Sequence, residues 1–248
     1  AADKTATFAG DLSIPAAKKL WLDGGTNTYI HESSDNVVKF YIGGGDRFVL
    51  DANSVMSMSN NDSGDSNTIF GSQAAQNLDN GSDFNVFIGH EAAEDTLDDA
   101  TNNVIVGYRA ARTLTTGVGN VCLGSSSLAT ATSANYNVAI GVTALNQCNS
   151  SYSTAVGGRA GLYLASGDNA TYIGYEAGLG TGDGQLGDNN TAVGYQAGKD
   201  IRGAGHDNTC LGALAGDSIT TGSDNTVLGK GADTSSVTAI NQTLVGYD

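Results

Sequence analysis

The chain repeats one short pattern of apolar and polar positions. A phrase such as NTAVGYQAG, at 190–198, recurs eleven times, and its central glycines lie 16 to 20 residues apart. The copies begin with NTIFG at 67, NVFIG at 85, NVIVG at 103, NVCLG at 120, NVAIG at 137, STAVG at 153, ATYIG at 170, NTAVG at 190, NTCLG at 208, NTVLG at 225 and QTLVG at 242. Self-similarity at such a period predicts a solenoid, in which each copy forms one coil.

Each column of the repeat predicts a structural role. The three residues before every glycine are Thr or Val, then an apolar residue, then a large apolar residue, which is typical of a short strand. Positions two apart share a face of a strand, so the first and third of these residues are predicted to face inward. The glycine should turn the chain with a positive φ. The Ala three residues later should fill a tight corner, and the leading Asn should form a hydrogen-bonded ladder.

A further apolar position, about seven residues after the glycine, predicts a second strand in each coil. Its inward residues would be Leu78, Leu97, Leu114, Cys148, Leu164, Ile201, Ile219 and Val237.

The middle residue of each first strand is then predicted to point outward. This column comprises Ile69, Phe87, Ile105, Cys122, Ala139, Ala155, Tyr172, Ala192, Cys210, Val227 and Leu244. A solvent-facing strand should be polar there, and an apolar stripe about 50 Å long at the sheet spacing needs a covering partner. We therefore predict that this column is the interface of a homotrimer, although the geometry also allows a dimer.

The N-terminal part of the chain has a different pattern. Apolar runs broken by Gly, Asp and Asn predict short strands at Leu20–Leu22, Tyr29–His31, Val37–Ile42 and Arg47–Leu50. The predicted fold is all-β, with an N-terminal β-rich shaft or adaptor segment over residues 1–60. A parallel β-roll, or solenoid, of about eleven short coils follows over residues 61–248.

Composition narrows the function classes. Only 15% of the 248 residues are charged, 35 are Gly and one is Pro, which suits short strands joined by turns. The formal net charge of −15 argues against partners such as nucleic acid or anionic membranes. No apolar run approaches the ~18 residues of a membrane span. Three cysteines do not make a disulfide framework, and Cys122 and Cys210 are interpreted as small buried residues.

Copies such as NVAIG and NTAVGYQAG resemble the head repeats of trimeric autotransporter adhesins and, more closely, the NTxxGYQAG arrays of phage tail fibres. The resemblance covers about Asn67 to Asp248, and the LDGG, TYI and ESS segments after Lys18 are similar to those that precede such arrays. It implies a left-handed parallel β-roll packed as a homotrimer, preceded by a trimeric β shaft. The implied protein is structural and located on the virion.

The function expected from this resemblance is the display of a region that attaches to a host surface receptor, such as a glycan, beside other fibre or tail proteins. A bacterial cell-surface adhesin of the same fold is the first alternative. A monomeric solenoid, such as an ice-binding protein, is suggested by the repeated Thr column. An enzyme alternative, a tailspike-like glycan hydrolase, would need a placed pair of carboxylates.

No catalytic or cofactor-binding residues are predicted. The GxGxxG match at 182–187 lies between two repeat copies, whereas a dinucleotide site needs a preceding strand and a following helix. NTAVGYQAG with Lys199 lacks the spacing of a P-loop. Gly216-Asp217-Ser218 resembles the GDS motif of some esterases, but no base or orienting acid is placed beside it.

Metal ligation is weighed against ordinary surface roles. His31, His90 and His206 are scattered, which favours surface positions. Asp-rich turns at Asp79, at Asp98–Asp99 and at 182–190 offer the oxygen ligands that calcium takes, but the turn preference of Asp explains them without an ion. No metal site is predicted, and calcium stays open. Tyrosines after the glycine should stack along one edge, for packing or for a glycan; they are Tyr108, Tyr175, Tyr195 and Tyr247.

Overall fold

We describe the protein from a computed structural model that defines residues 18–34, 37–43, 45–50, 56–57, 66–79, 81–95, 97–180 and 187–246. The chain divides into two compact units, Ala1–Asn61 and Asp62–Asp248. The residues in these described ranges form strands and turns and no helix, so the all-β class is confirmed. No helix in the same part of the chain is long and apolar enough to span a membrane.

The first unit contains one five-stranded antiparallel sheet with its strands in chain order. Its strands are β1 (Lys19–Trp21), β2 (Tyr29–Ser34), β3 (Val37–Ile42), β4 (Gly45–Leu50) and β5 (Met56–Ser57). The turn between β1 and β2 is held by Asp23, whose carboxylate accepts hydrogen bonds from the hydroxyl of Thr26 and the backbone N–H of Asn27. These bonds hold the pKa of Asp23 well below its usual range.

The second unit is a parallel β-solenoid of about ten turns, which confirms this part of the predicted fold. Its strands are β6 (Thr68–Phe70), β7 (Val86–Ile88), β8 (Val104–Val106), β9 (Val121–Leu123), β10 (Val138–Ile140), β11 (Thr154–Val156), β12 (Thr171–Ile173), β13 (Thr191–Val193), β14 (Thr209–Leu211), β15 (Thr226–Leu228) and β16 (Thr243–Val245). They form a single sheet in sequence order, and equivalent residues of neighbouring copies pair in register.

The two faces of these strands are the reverse of the prediction. The middle column lies inside the coil: Phe87, Ile105, Cys122, Ala139, Ala155, Tyr172, Ala192, Cys210 and Val227 are fully buried within one chain, and Ile69 and Leu244 at the two ends are partly buried against the same core. The first and third residues of each strand face outward. The physical reason is the leading Asn, which is itself buried: two residues further along a strand, the side chain returns to the same face.

The coil interior is narrow, and its volume is shared between the strand and the opposite corner. Where the strand supplies Phe87, the fourth residue after the glycine is Ala93; where the strand supplies Ala139, that corner residue is Leu145. Tyr172 is the extreme case, because a Cβ added at Gly178 would lie 2.3 Å from its ring. Interiors pack at nearly constant density, so large and small residues must alternate across the coil.

The predicted second strand is wrong. The segment after each glycine is a run of turns, and the described residues there contain only two isolated bridges, Leu78↔Leu97 and Ser223↔Ile240. Positive φ angles recur at the second and fourth residues after the glycine, which curl the chain instead of extending it. Six of the eight predicted inward residues are nevertheless buried, namely Leu97, Leu114, Cys148, Leu164, Ile201 and Ile219; Leu78 is partly buried and Val237 is exposed.

The repeated glycine has the predicted conformation. Gly194 has a φ of 138°, and a Cβ added there would lie 2.5 Å from the carbonyl oxygen of Gly212 in the next coil. The same close approach recurs at the motif glycines from Gly71 to Gly229. Only glycine satisfies both conditions, so this column maintains the stacking distance of the coils.

The leading Asn forms the predicted ladder. The side-chain amide of Asn103 donates to Asn85 Oδ1 at 3.0 Å and to the carbonyl of Gly117 at 2.8 Å, and its backbone N–H donates to the same Asn85 oxygen at 2.9 Å. Equivalent bonds join Asn190, Asn208 and Asn225. Ser153 continues part of the ladder, because its hydroxyl accepts from the backbone N–H of Ala170 at 3.2 Å. The ladder is interrupted at Ala170, which has no side-chain acceptor. Buried amides are thereby hydrogen-bonded from coil to coil.

Candidate interaction face

The outer face of the solenoid sheet is the feature best suited to bind a partner. It consists of two columns that run the length of the sheet. The first column is Thr68, Val86, Val104, Val121, Val138, Thr154, Thr171, Thr191, Thr209, Thr226 and Thr243; the second is Phe70, Ile88, Val106, Leu123, Ile140, Val156, Ile173, Val193, Leu211, Leu228 and Val245. We call these two columns the outer face. It contains no charged residue.

The outer face is large and open. Every residue in it is partly or fully exposed, and the side chain of Leu211 is exposed to 45%. Eleven strands at the spacing of a sheet give a strip about 48 Å long and roughly 12 Å wide, or roughly 600 Å². Seven of the eleven residues in the first column are Thr, so the second column supplies most of the apolar area. The whole strip is comparable in area to the largest apolar patches on monomeric proteins. An uncharged strip of this size is therefore the candidate interaction surface of the solenoid.

The turn-rich segment that follows each motif glycine carries charged groups in networks. Glu91 accepts hydrogen bonds or ion pairs from His90 at 2.9 Å and from Arg109, and Glu176 contacts Arg159 and accepts from the amide of Gln196 at 2.7 Å. The Arg109 hydrogen bond holds the pKa of Glu91 below its usual value. The Gln196 hydrogen bond, followed by the Arg159 charge, does the same for Glu176.

Two further columns border the outer face. The leading rim is the residue directly before each motif Asn position: Ser66, Phe84, Asn102, Gly119, Tyr136, Tyr152, Asn169, Asn189, Asp207, Asp224 and Asn241. The trailing rim is the residue directly after each motif glycine: Ser72, His90, Tyr108, Ser125, Val142, Gly158, Tyr175, Tyr195, Ala213 and Lys230. Tyr247, the next residue of this column, lies outside the described residues.

Aromatic residues stack within each rim, as the sequence predicted for the tyrosines. Tyr175 and Tyr195 have ring centroids 5.9 Å apart on the trailing rim, and His90 stacks on Tyr108 at 5.8 Å. On the leading rim Tyr136 and Tyr152 stack at 5.5 Å, with rings inclined by only 10°. The stacked faces are covered by each other, so this contact is packing between coils.

Among the residues that the structure describes, two groups of side chains have the composition of a cation site. Asp79, Asp98 and Asp99 lie together, and the sequence had singled out these turns; His206, Asp207 and Asp224 form a second group. Within each group the ligand atoms lie within 4.8 Å of one another. Turn hydrogen bonds account for them, since the hydroxyl of Ser82 donates to Asp79 at 2.7 Å and His206 contacts Asp207 at 2.6 Å.

The other sequence motifs do not form a recognisable site. Residues 181–186 of the GxGxxG match lie outside the described residues. In NTAVGYQAG, at 190–198, Gly194 and Gly198 lie at corners of a coil. In the GDS match, Gly216 packs on Cys210, Ile219 is buried and Ser218 is exposed. His31 lies in β2 of the first unit.

The three cysteines are free and buried. Burial raises the pKa of the Cys148 thiol to about 11 and that of Cys210 to about 12, and it raises the pKa of Cys122 further. Thiolates are the reactive form. These residues therefore act as small apolar core residues, as the sequence indicated for Cys122 and Cys210.

The fold defines the class of protein as a parallel β-solenoid with an uncharged outer sheet face. No family model, curated protein or solved structure matches this chain. The functional proposal therefore rests on the geometry of the outer face.

Proposed function

We propose that the protein is a structural, homotrimeric fibre segment that displays a surface for attachment to a host cell. The observation that supports this most directly is the outer face, where β-branched and aliphatic side chains point to solvent over eleven strands. Burying such a strip against equal strips is favourable at about 25 cal/mol per Å². Three parallel copies around one axis would cover all three outer faces with residues of the same kind.

The distribution of charge supports association of identical chains through this face. Each chain carries a net charge of −15, so two copies repel each other wherever charged sides approach. The outer face is free of charge, whereas the ion pairs lie on the turn-rich side. Packing through the outer face leaves these ion pairs outside the buried strip.

In such a trimer the turn-rich sides form the exposed surface of the fibre. We propose that this surface, together with other fibre or tail proteins, contacts a host receptor such as a glycan, and that the protein is located on a virion. A bacterial cell-surface adhesin of the same architecture is the alternative location. A non-enzymatic role is part of this proposal.

The first test is the solution mass. One chain has a mass of 25.1 kDa, so sedimentation or light scattering of a trimer should give about three times that value. A mass near one chain at micromolar concentration would contradict the proposal. Binding of the labelled protein to host cells, and its loss after removal of surface glycan, would test attachment; release of products from the polysaccharide would contradict the non-enzymatic role.

A second candidate function is favoured by one specific observation. The Thr-rich column of the outer face points to solvent, as a monomeric solenoid that binds an ordered surface such as ice would require. Thermal hysteresis of a monomeric protein would support this candidate. We expect an oligomer without thermal hysteresis, because the adjacent column is aliphatic and a wet aliphatic strip is unfavourable.

A further inference from the structure

The two rims of the outer face carry side chains of complementary size. In the coils where the leading rim carries Tyr136 and Tyr152, the trailing rim carries the small residues Val142 and Gly158. In the coils where the trailing rim carries Tyr175, the leading rim carries Asn169. The coil of Phe84 and His90 is the single described coil with rings on both rims.

Within one chain the two rims of a coil do not touch. The leading and trailing residues are six positions apart across an extended strand, which separates them by roughly 15–20 Å. Their complementary sizes therefore have no cause inside the coil. A contact with another molecule is the physical reason for such a match.

The leading-rim aromatics also occupy a costly backbone conformation. Every described residue of this rim has a positive φ; Tyr136 is at 54° and Tyr152 at 60°. Seven of the nine other coils place Asn, Asp or Gly there, which tolerate the left-handed region, and the remaining two place Ser66 and Phe84. Bulky residues are uncommon in this region. The two tyrosines are exposed to 55% and 59%. Strained and exposed rings that recur at one corner suggest a covering partner.

We infer that the leading rim of one copy packs against the trailing rim of the next copy at the same coil, so that Tyr152 of one chain lies over Gly158 of its neighbour. This inference rests on the proposed function. In a closed cyclic assembly whose axis follows the solenoid, an axial shift between copies would prevent closure. Each coil must therefore meet the same coil of the neighbouring copy. The leading rim of one sheet then meets the trailing rim of the next sheet.

The charges near the end of the solenoid fit the same arrangement. Asp224 is on the leading rim and Lys230 is on the trailing rim of the same coil. Because each coil meets the same coil of the next copy, these opposite charges come together between copies. The small pair Ser66 and Ser72 would meet in the first coil, and both are exposed in the single chain.

A double-mutant cycle on Tyr152 and Gly158 tests the inference. The backbone at Gly158 admits a side chain, because an added Cβ lies 3.5 Å from the Tyr175 ring, an ordinary contact. We expect Gly158→Tyr to weaken association about tenfold, through overpacking of two rings. The swap Tyr152→Gly with Gly158→Tyr should restore association to within about threefold of the original.

The outcome separates this inference from the proposed function. Because the two positions are not in contact within a chain, coupling between them in the dissociation constant comes from a contact between chains. Strictly additive effects in a protein that still forms trimers would overturn the rim pairing and leave the trimer intact. A monomeric unmutated protein would overturn the proposed function and this inference with it.

Chemical cross-linking provides an independent readout. Ser66→Cys with Ser72→Cys should give covalent oligomers with a two-carbon bismaleimide, a linker too short to join both rims of one chain. Ser66→Cys with Ser125→Cys is the matched control, since those residues lie on opposite rims three coils apart. Equal yields from both pairs, or none from the first pair in trimeric protein, would overturn the inference.

Discussion

The sheet side and the turn side of the solenoid are made from the same repeat, but one is uncharged and the other carries charged residues. On the sheet side, in-register parallel strands present uncharged Thr, Val, Ile and Leu to solvent. On the turn side, left-handed corners place the partly exposed Arg109 and Arg159 against the largely buried Glu91 and Glu176 of adjacent coils. A monomer gains solubility from the second arrangement and loses it through the first. This difference is the reason for our proposal that copies of the chain associate through the sheet side.

The largest expected effect compares two adjacent residues of β14. Cys210 is fully buried in the coil and Leu211 is exposed on the outer face. Cys210→Asp should destabilise the fold by more than about 3 kcal/mol, because a carboxylate would be buried without a partner. Leu211→Asp should leave the secondary structure intact. Circular dichroism of both variants checks this; equal damage would contradict the assignment of the faces.

The next effect concerns the glycine that joins the two sides. Gly194→Ala should cost about 2–3 kcal/mol, since the added Cβ meets the Gly212 carbonyl oxygen at 2.5 Å with a φ of 138°. Gly158→Ala is the matched control and should change the free energy of unfolding by less than about 1 kcal/mol, because its added Cβ makes only ordinary contacts. Denaturant titrations measure both. A small effect at Gly194 would mean that coil spacing is not set by this column.

A stabilising change is expected at the gap in the Asn ladder. Ala170 offers no side-chain acceptor to the backbone N–H of Asn190, unlike Asn190 itself, whose Oδ1 accepts from the N–H of Asn208 at 3.1 Å. Ala170→Asn should raise the free energy of unfolding by about 1 kcal/mol. Ala170→Leu, similar in size but without an amide, should lower it. A destabilising Asn would show that the gap relieves strain.

The smallest expected effect lies on the turn side and depends on pH. Burial, followed by the charge of Asp233, raises the pKa of Asp217 above its ordinary value. Its protonated form is therefore favoured by folding, so the destabilisation is present above the folded pKa and disappears as the pH falls towards the unfolded value. Asp217→Asn should stabilise the protein by up to about 0.5 kcal/mol at neutral pH. Thermal unfolding at pH 7 and pH 4 measures this; a larger gain at pH 4 would contradict it.

The sequence was sufficient for the period, the strands and the glycine and Asn columns, because each of these follows from strictly local chemistry. The prediction of which strand side chains point into the coil was wrong, because Thr and Val were treated as inward residues on hydrophobicity alone. The predicted Asn ladder contained the missing signal: a buried Asn two residues before Ala139 or Phe87 places those middle residues inside the coil.

The turn side was less predictable for a different reason. Leu114 and Ile201 were correctly placed in the core, but apolar spacing alone does not distinguish a strand from a curled turn. The positive φ at residues such as Glu91 and Leu145 is uncommon for their types and is accompanied by backbone hydrogen bonds to a neighbouring coil. The rim columns, and the His206 and Asp224 neighbourhood, likewise emerge only once the coils are stacked.

The most direct test of the central claim is the mass of a variant altered only on the outer face. Ile173→Asp with Leu211→Asp changes two exposed residues two coils apart and would bring six carboxylates near one axis in a trimer. We predict folded protein with the mass of one chain, while the unmutated protein sediments as three. A double variant that keeps the mass of three chains would contradict the claim that copies associate through the outer face.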